Sequence, residues 1–273
     1  MRYRRVTERP PNPRLKGGTW VSRGLVFANI GGGAKTPRYL DASGHGNHGA
    51  LTGYTGAHNT PVDRWGRALG RACLGTNASS DYIAVASITQ AAHPVPFSAS
   101  CWFRFPVDPG AYYVSTIYSH VLADNPMPGW TFGAGNDNFL HWTIPVFNSG
   151  PTIAFSKGDR GWHHVAGTYD GSTARFYLDG IPGTPATVAF SPQNTTLKLM
   201  MGKYYASPSV ADPCLWSRIL SPAEIARLAD PAWSVTMGGA IYTRPRRSFV
   251  GQVGGEPPAG NRRRRILLLA GAW

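Results

Sequence analysis

Apolar and polar residues alternate with a period of two through much of the middle of the chain. In PFSASCWFRFPV, Phe97, Ala99, Cys101, Phe103 and Phe105 fall on one side, and Ser98, Ser100, Trp102 and Arg104 on the other. That spacing predicts a long strand with one strongly apolar face. DYIAVA sets Tyr82, Ala84 and Ala86 against Ile83 and Val85, and TLKLMMGK alternates until Gly202. GLVFAN, closed by Gly31, Gly32 and Gly33, reads as a first strand and its exit, and RWGRALGRACLG suggests strand pairing around residues 68–74. In GWHHVAGTYDGSTARFYLDG two strand-like runs flank Asp170 and Gly171, and a further turn follows at Asp179 and Gly180. Asp-Gly tolerates the positive φ of tight hairpins, so residues 162–169 are expected to pair antiparallel with residues 174–178. One helix interrupts the strands at SPAEIARLAD. Ser221 is suited to cap it, Pro222 to its first turn, and Glu224 to return the hydrogen bond of a capping box. Ile225 and Leu228 are expected to face the sheet, and the helix should stop before Pro231.

Composition agrees with that pattern. Of the 273 residues, 33 are Gly and 23 are Pro. Both weaken helix interiors, whereas aromatic and β-branched residues suit a half-buried pleated surface, so an all-β domain is expected. The basic start runs into prolines and not into the apolar stretch of a signal peptide, and the closing ILLLAGAW is too short to span a bilayer. Cys73, Cys101 and Cys214 have neither an even count nor a C-x-x-C spacing. They read as small buried thiols of a protein made in a reducing cytoplasm.

Charge divides the chain into three parts. The net charge is +13, and all but one unit of it sits in residues 1–23 and 241–273. The expected organisation is a basic, Pro-rich N-terminal arm (1–23), a near-neutral sandwich (24–233) and a basic C-terminal arm with an apolar end (234–273).

Several motifs then fall in one order: GLVFAN, DASGHGNHGALTG, RWGRAL, DYIAV, PFSASCWFRF, GWHHVAGTYDGSTARFYLDG, LMMGK and ADPCLWSRILSPAEIARL. In that order they resemble the LamG-like branch of the concanavalin A-type lectin/glucanase superfamily across residues 24–233. The resemblance implies a jelly-roll sandwich of two curved antiparallel sheets with one short C-terminal helix beside it, from which the basic arms extend. In the family, D-x-S-G-x-G-N-H-G is a turn-rich connection after the first strand. Its glycines serve backbone geometry, and Asp41 is expected to cap its own loop and not to bind an ion.

Glucanase chemistry needs two carboxylates flanking a glycosidic bond, which related retaining enzymes carry in an E-x-D-x-x-E arrangement. The only glutamates here are Glu8, Glu224 and Glu256, and Asp170 and Asp179 are assigned to turns. The chain is therefore expected not to be an enzyme. His163 and His164 point to opposite faces of a strand and cannot easily share a metal; His45 and His48 have no third partner nearby. Family members often bind calcium at a sandwich rim through a late x-D-E-V motif. Here Asp212 is kept and Pro213 replaces the acid, so calcium at Asp212 is the one cofactor considered, against a strand-end or loop role. Tyr112, Tyr113, Trp130, Trp142, Tyr204 and Tyr205 are aromatic candidates for binding carbohydrate, and Trp130, Tyr204 and Tyr205 are singled out, Trp130 for its loop-like setting NPMPGWTFG.

The arms carry the more distinctive message. Arg262, Arg263, Arg264 and Arg265 precede Ile266, Leu267, Leu268 and Leu269, and Trp273 follows. An electrostatic anchor beside an apolar plug suits an acidic rim next to a hydrophobic groove, or the addition of a strand at a sheet edge. Arg2, Arg4 and Arg5 supply the corresponding charges at the other end. LamG-like domains of this size occur among virion proteins of tailed bacteriophages, and LADPAWSVTMGGAIYTRPRRSF resembles the basic, Trp-containing tail that follows them. The expectation is a non-enzymatic structural component of the virion, in capsid decoration, neck or tail, assembled in the host cytoplasm. Its partners would be other virion proteins and copies of itself, with no membrane. A lectin-type module for host surface glycans is the first alternative. Nucleic-acid binding through the arms is the second, disfavoured because the basic clusters lack interleaved aromatics and the sandwich is near neutral.

Overall fold

The computed structural model of the protein describes residues 19–28, 38–39, 41–52, 63–64, 72–75, 82–85, 95–105, 115–122, 125–135, 137–144, 150–156, 158–189, 198–201 and 208–230. All of them lie in the first of the chain's two units, Met1–Tyr242; the second, Thr243–Trp273, lies outside the described residues.

The first strands are β1 (Leu25–Ala28), β2 (Arg38–Tyr39), β3 (Gly49–Thr52), β4 (Asp63–Arg64), β5 (Ala72–Gly75) and β6 (Tyr82–Val85). Longer ones follow: β7 (Phe97–Arg104), β8 (Ser115–Leu122), β9 (Asn125–Ala134), β10 (Phe139–Thr143), β11 (Thr152–Ala154), β12 (His163–Tyr169) and β13 (Thr173–Leu178). The chain closes with β14 (Ile181–Pro182), β15 (Ala186–Thr187), β16 (Lys198–Met201), β17 (Ser209–Trp216) and the helix α1 (Pro222–Ala229). They form two antiparallel sheets. One runs β14-β13-β12-β7-β17-β5-β4, with β1 beside β17 and β15 beside β13, and the other β11-β10-β9-β8-β16-β6-β3-β2.

The alternation in the sequence places the core between these sheets. Phe97, Ala99, Cys101, Phe103 and Phe105 all join the main cluster, with Trp130, Phe132, Trp142, Tyr169 and Phe176. Rings interlock there: Phe132 lies 5.3 Å from Phe176 and 5.6 Å from Trp142, centroid to centroid. Cys101 and Cys214 are buried free thiols, and burial pushes the Cys101 thiol well up.

The hairpin expected from Asp170-Gly171 is present, with Tyr169 opposite Ala174 and Val165 opposite Leu178. Tyr169 ties its turn down, its hydroxyl lying 2.8 Å from the carbonyl oxygens of both Gly171 and Val188 and able to donate to either. The second turn, Asp179-Gly180, lies under α1. Gly180 has φ +81°, and a Cβ there would come within 3.2 Å of Ala226 Cα, so only glycine suits the position. Ser221 and Glu224 form the complete capping box, and Ile225 and Leu228 are buried. They seal a second cluster with Tyr177, Cys214 and Trp216 on the outer side of the nine-stranded sheet.

Two expectations need correction. Trp130 is not on a loop: it lies inside β9 and is 1% exposed, packed 5.1 Å from Tyr118. The prolines before it suggested a loop, but the β8–β9 ladder shifts register between His120 and Leu122, where residues without an N–H are tolerated. Trp130, Phe132 and Ala134 alternate into the core, and that period of two was the available signal. The sandwich also begins before residue 24. Val21 is fully buried in the second cluster with Trp20 packed against it, so residues 19–23 belong to the fold and not to an arm.

Candidate functional site

The loop after β1 is a corner held by one carboxylate. Asp41 is buried; its Oδ1 accepts the N–H groups of Ala28 and Ser43, and its Oδ2 accepts Asn47 N–H and Ser43 Oγ–H at 2.6–3.1 Å. Four donors saturate a carboxylate, so Asp41 is a structural hub. Asn47 Nδ2 donates to Val26 O, which Ser43 Oγ also approaches at 3.0 Å, His45 Nε2–H donates to Leu25 O, and His48 Nδ1 accepts the Asp41 N–H. The two histidines thus bind backbone on either side of the corner.

The W-S-R-x-L-S-x-x-E-I ending is a clasp. Trp216 Nε1–H donates to Val21 O at 2.8 Å. Arg218 uses all five of its donors: Nε on Arg23 O, Nη1 on Ile219 O and Glu224 Oε2, Nη2 on Trp20 O and Glu224 Oε1. Ser98 Oγ bridges to β7, donating to Arg218 O and accepting Leu220 N–H. Glu224, the one glutamate of the sandwich, is therefore engaged in the cap and the ion pair.

A cluster of carboxylates and imidazoles gathers at one end of the sandwich. Phe155, just after β11, donates its N–H to Asn138 O and packs edge-on against His163 at 5.3 Å. His163 Nδ1 lies 2.7 Å from Asp179 Oδ2, and its Nε2 lies 3.1 Å from Asp159 Oδ2. A neutral imidazole donates through one nitrogen only, so two carboxylates favour the imidazolium. The hydrogen bond that His163 donates to Asp179 is the chief cause that raises the His163 pKa, against the opposing effect of burial. Asp159 is held below the usual carboxylate range, first by the Gly161 N–H and then by His163. A separate pair lies on the outer face of the eight-stranded sheet, where Asp137 Oδ1 is 3.0 Å from His141 Nε2. Between β11 and residues 183–186 runs a groove of about 490 Å³, with Phe139, Pro151, Ile153, Pro185 and Ala186 among its walls.

A group whose folded pKa is raised stabilises the fold fully below its unfolded pKa, about 6.5 for His, and that contribution is lost as pH rises through the folded value. Melting temperature is therefore expected to fall as pH rises through that range. In His163→Gln the fall should shrink by roughly 3–6 °C, taking about 1–2 kcal/mol for charge-assisted hydrogen bonds. Calorimetry at a series of pH values checks this; an unchanged profile in the variant would contradict it.

The other expected site residues are dispersed. Trp142 is fully buried in the core with Trp130. Asp212 is 2% exposed with φ +46°, inside β17 where the register against β7 shifts between Ala211 and Cys214. It is thus a strand-bulge residue. Among the described residues no three His, Cys, Asp or Glu side chains surround a common point. Asp170 accepts the N–H groups of Ser172 and Thr173, and Asp179 accepts His164 N–H, as turn residues do. Tyr112, Tyr113, Tyr204, Tyr205, Arg2, Arg4, Arg5, Arg262, Arg263, Arg264, Arg265, Ile266, Leu267, Leu268, Leu269 and Trp273 lie outside the described residues. No helix among the described residues is long and apolar enough to cross a membrane.

The sandwich is similar to solved structures at low sequence identity. The binding domain of botulinum neurotoxin DC, in complex with rat synaptotagmin II, is 18% identical with TM-score 0.58, over 77% of this chain and 52% of that one. Trypanosoma rangeli sialidase is 14% identical with TM-score 0.54, over 76% of this chain and 32% of that one. The chain thus corresponds to about half of the toxin domain and a third of the sialidase, and the likeness is one of fold. Comparison with curated protein sequences finds no match. The family model of the concanavalin A-like lectin/glucanases superfamily matches residues 77–226, more than half of the chain, and the chain belongs to that superfamily.

Proposed function

We propose that the chain is a non-enzymatic structural component of a bacteriophage virion, a concanavalin A-like sandwich attached to neighbouring chains through its basic arms. The observation that carries this reading is the division of charge: nearly all of the +13 lies in the terminal segments, around a near-neutral sandwich. The fate of the sandwich carboxylates supports it. Asp41 and Glu224 hold a corner and a clasp, and Asp170 and Asp179 hold turns, whereas glycoside hydrolysis needs two carboxyl groups facing one bond. A calcium ion at Asp212 would need its other oxygens from backbone carbonyls or from residues outside the described set.

Glycan binding is the second reading, and membership of a lectin-type superfamily supports it. The polar row of Ser119, Thr131 and Thr143 with His141, on the face of the eight-stranded sheet opposite the core, is buried and offers no open platform. One experiment separates the two. Particles produced with the chain truncated after Asn261 are expected to lack it in a gel of purified virions. Full occupancy, together with retention of the protein on immobilised host polysaccharide, would move attachment to the sandwich and favour the second reading.

A further inference from the structure

One imidazole sits where the chain crosses from one sheet to the other. The chain leaves the eight-stranded sheet at β11 and enters the nine-stranded sheet at β12, whose first residue is His163. The His163 ring lies 5.3 Å from Phe155 and 5.9 Å from Phe103, centroid to centroid, and both phenylalanines belong to the main core. Its two nitrogens face carboxylates from different segments: Asp179 from the turn after β13, and Asp159 from the exposed residues 158–161 just before β12. Among the described residues these are the charged groups that face the ring, with the exposed Arg160 beside Asp159. His164 points to the other side of β12, where it packs edge-on against Trp102.

The two contacts of the ring are not alike. Nδ1 makes a hydrogen bond of 2.7 Å with Asp179 Oδ2, and Asp179 Oδ1 accepts the His164 N–H at 2.7 Å. Nε2 lies 3.1 Å from Asp159 Oδ2 without the alignment of a hydrogen bond, so that contact is chiefly an attraction between charges. Asp159 Oδ1 accepts the Gly161 N–H at 2.7 Å, and the Asp159 N–H reaches Ser156 O at 3.0 Å. When the imidazolium gives up one proton to solvent, the ring keeps its better hydrogen bond, Nδ1–H to Asp179. The proton that leaves is the one on Nε2. The Nε2 lone pair then faces the Asp159 carboxylate, two acceptors with no proton between them.

We propose that His163 is a one-sided, pH-sensitive latch on the connection between the sheets: its imidazolium holds the turn 158–161 closed, and its neutral ring releases Asp159 while keeping Asp179. A simple stabilising ion pair would loosen both partners alike, whereas here the inequality of the two contacts decides which one is let go. Release frees a short exposed turn and leaves β12 and the turn after β13 in place. The inference goes beyond the proposed attachment and does not depend on it.

Nuclear magnetic resonance of the isotopically labelled full chain, titrated across the His163 transition, tests it. Ring nitrogen shifts should show His163 losing its Nε2 proton and retaining the one on Nδ1. Backbone order parameters at Asp159 and Gly161 should fall from about 0.85 below the transition to about 0.6 or less above it, while that of His164 stays high. Asp159→Asn should abolish this response, since a carboxamide keeps an oxygen for the Gly161 N–H and can donate to the neutral Nε2. Both Asp159→Asn and Asp179→Asn should lower the pH at which His163 titrates, because each removes a neighbouring negative charge. Both side chains are partly exposed, so the variants should fold, and unchanged circular dichroism verifies this. Order parameters at Gly161 that do not change with pH, or that fall equally at His164, would overturn the inference. So would a neutral ring protonated on Nε2, or an Asp159→Asn chain that loosens as the wild type does.

Discussion

A chain beginning at Gly24 is expected to melt roughly 8–16 °C below the full chain, whereas one beginning at residue 18 should melt within a few degrees of it. Val21 is completely buried among Leu25, Trp216, Leu220 and Ile225, and removing it forfeits about 2 kcal/mol of apolar burial. Its carbonyl also accepts the buried Trp216 indole N–H, and the carbonyls of Trp20 and Arg23 accept from Arg218. Buried donors left without acceptors cost about 1 kcal/mol or more each, which brings the loss to about 4 kcal/mol. For a domain of this size each kcal/mol corresponds to about 2–4 °C. Scanning calorimetry of the three chains decides the matter. Equal melting of the chains starting at residues 18 and 24 would show that residues 19–23 add nothing to the fold.

Arg218→Ala should be comparably severe, at about 3–4 kcal/mol, and Arg218→Lys should recover little of it. All five guanidinium donors are used, on three carbonyls and both oxygens of Glu224. A lysine offers three donors from one point and cannot span that set. The substitution should also change the acid limb of the stability curve. Burial alone would raise the Glu224 carboxyl, but hydrogen bonds from Arg218 and Ser221 outweigh it and hold it below the usual range. A carboxyl with a lowered folded pKa stabilises above its unfolded value, about 4.3, and that contribution is lost as pH falls through the folded value. Arg218→Ala should therefore lose less stability between pH 5 and pH 3 than the wild type does. Parallel acid titrations followed by circular dichroism would show it; identical slopes would mean that the ion pair contributes nothing.

The sequence by itself determined whatever depends on neighbours a few residues apart. The apolar face of β7, the Asp170-Gly171 hairpin, the Ser221–Glu224 capping box and the Asp41 corner all follow from local dihedral preferences and short-range hydrogen bonds, and the structure places them as expected. The motifs that pointed to the superfamily are largely these same elements. Tertiary structure decided the rest, because it depends on which distant segments meet. Trp130 looked like a loop residue until the ladder with β8 turned it into the core. Residues 19–23 carry the composition of an arm, yet partners nearly 200 positions away bury Val21, and Trp216 and Arg218 supply the donors for the carbonyls of Trp20, Val21 and Arg23. Two carboxylates raise the pKa of His163, and only the Asp179 turn and the chain after β11 bring them together. The place of β11 at the end of its sheet is likewise set by sheet order, which alternation cannot encode: a period of two tells a strand which face to bury, but not which neighbour it has.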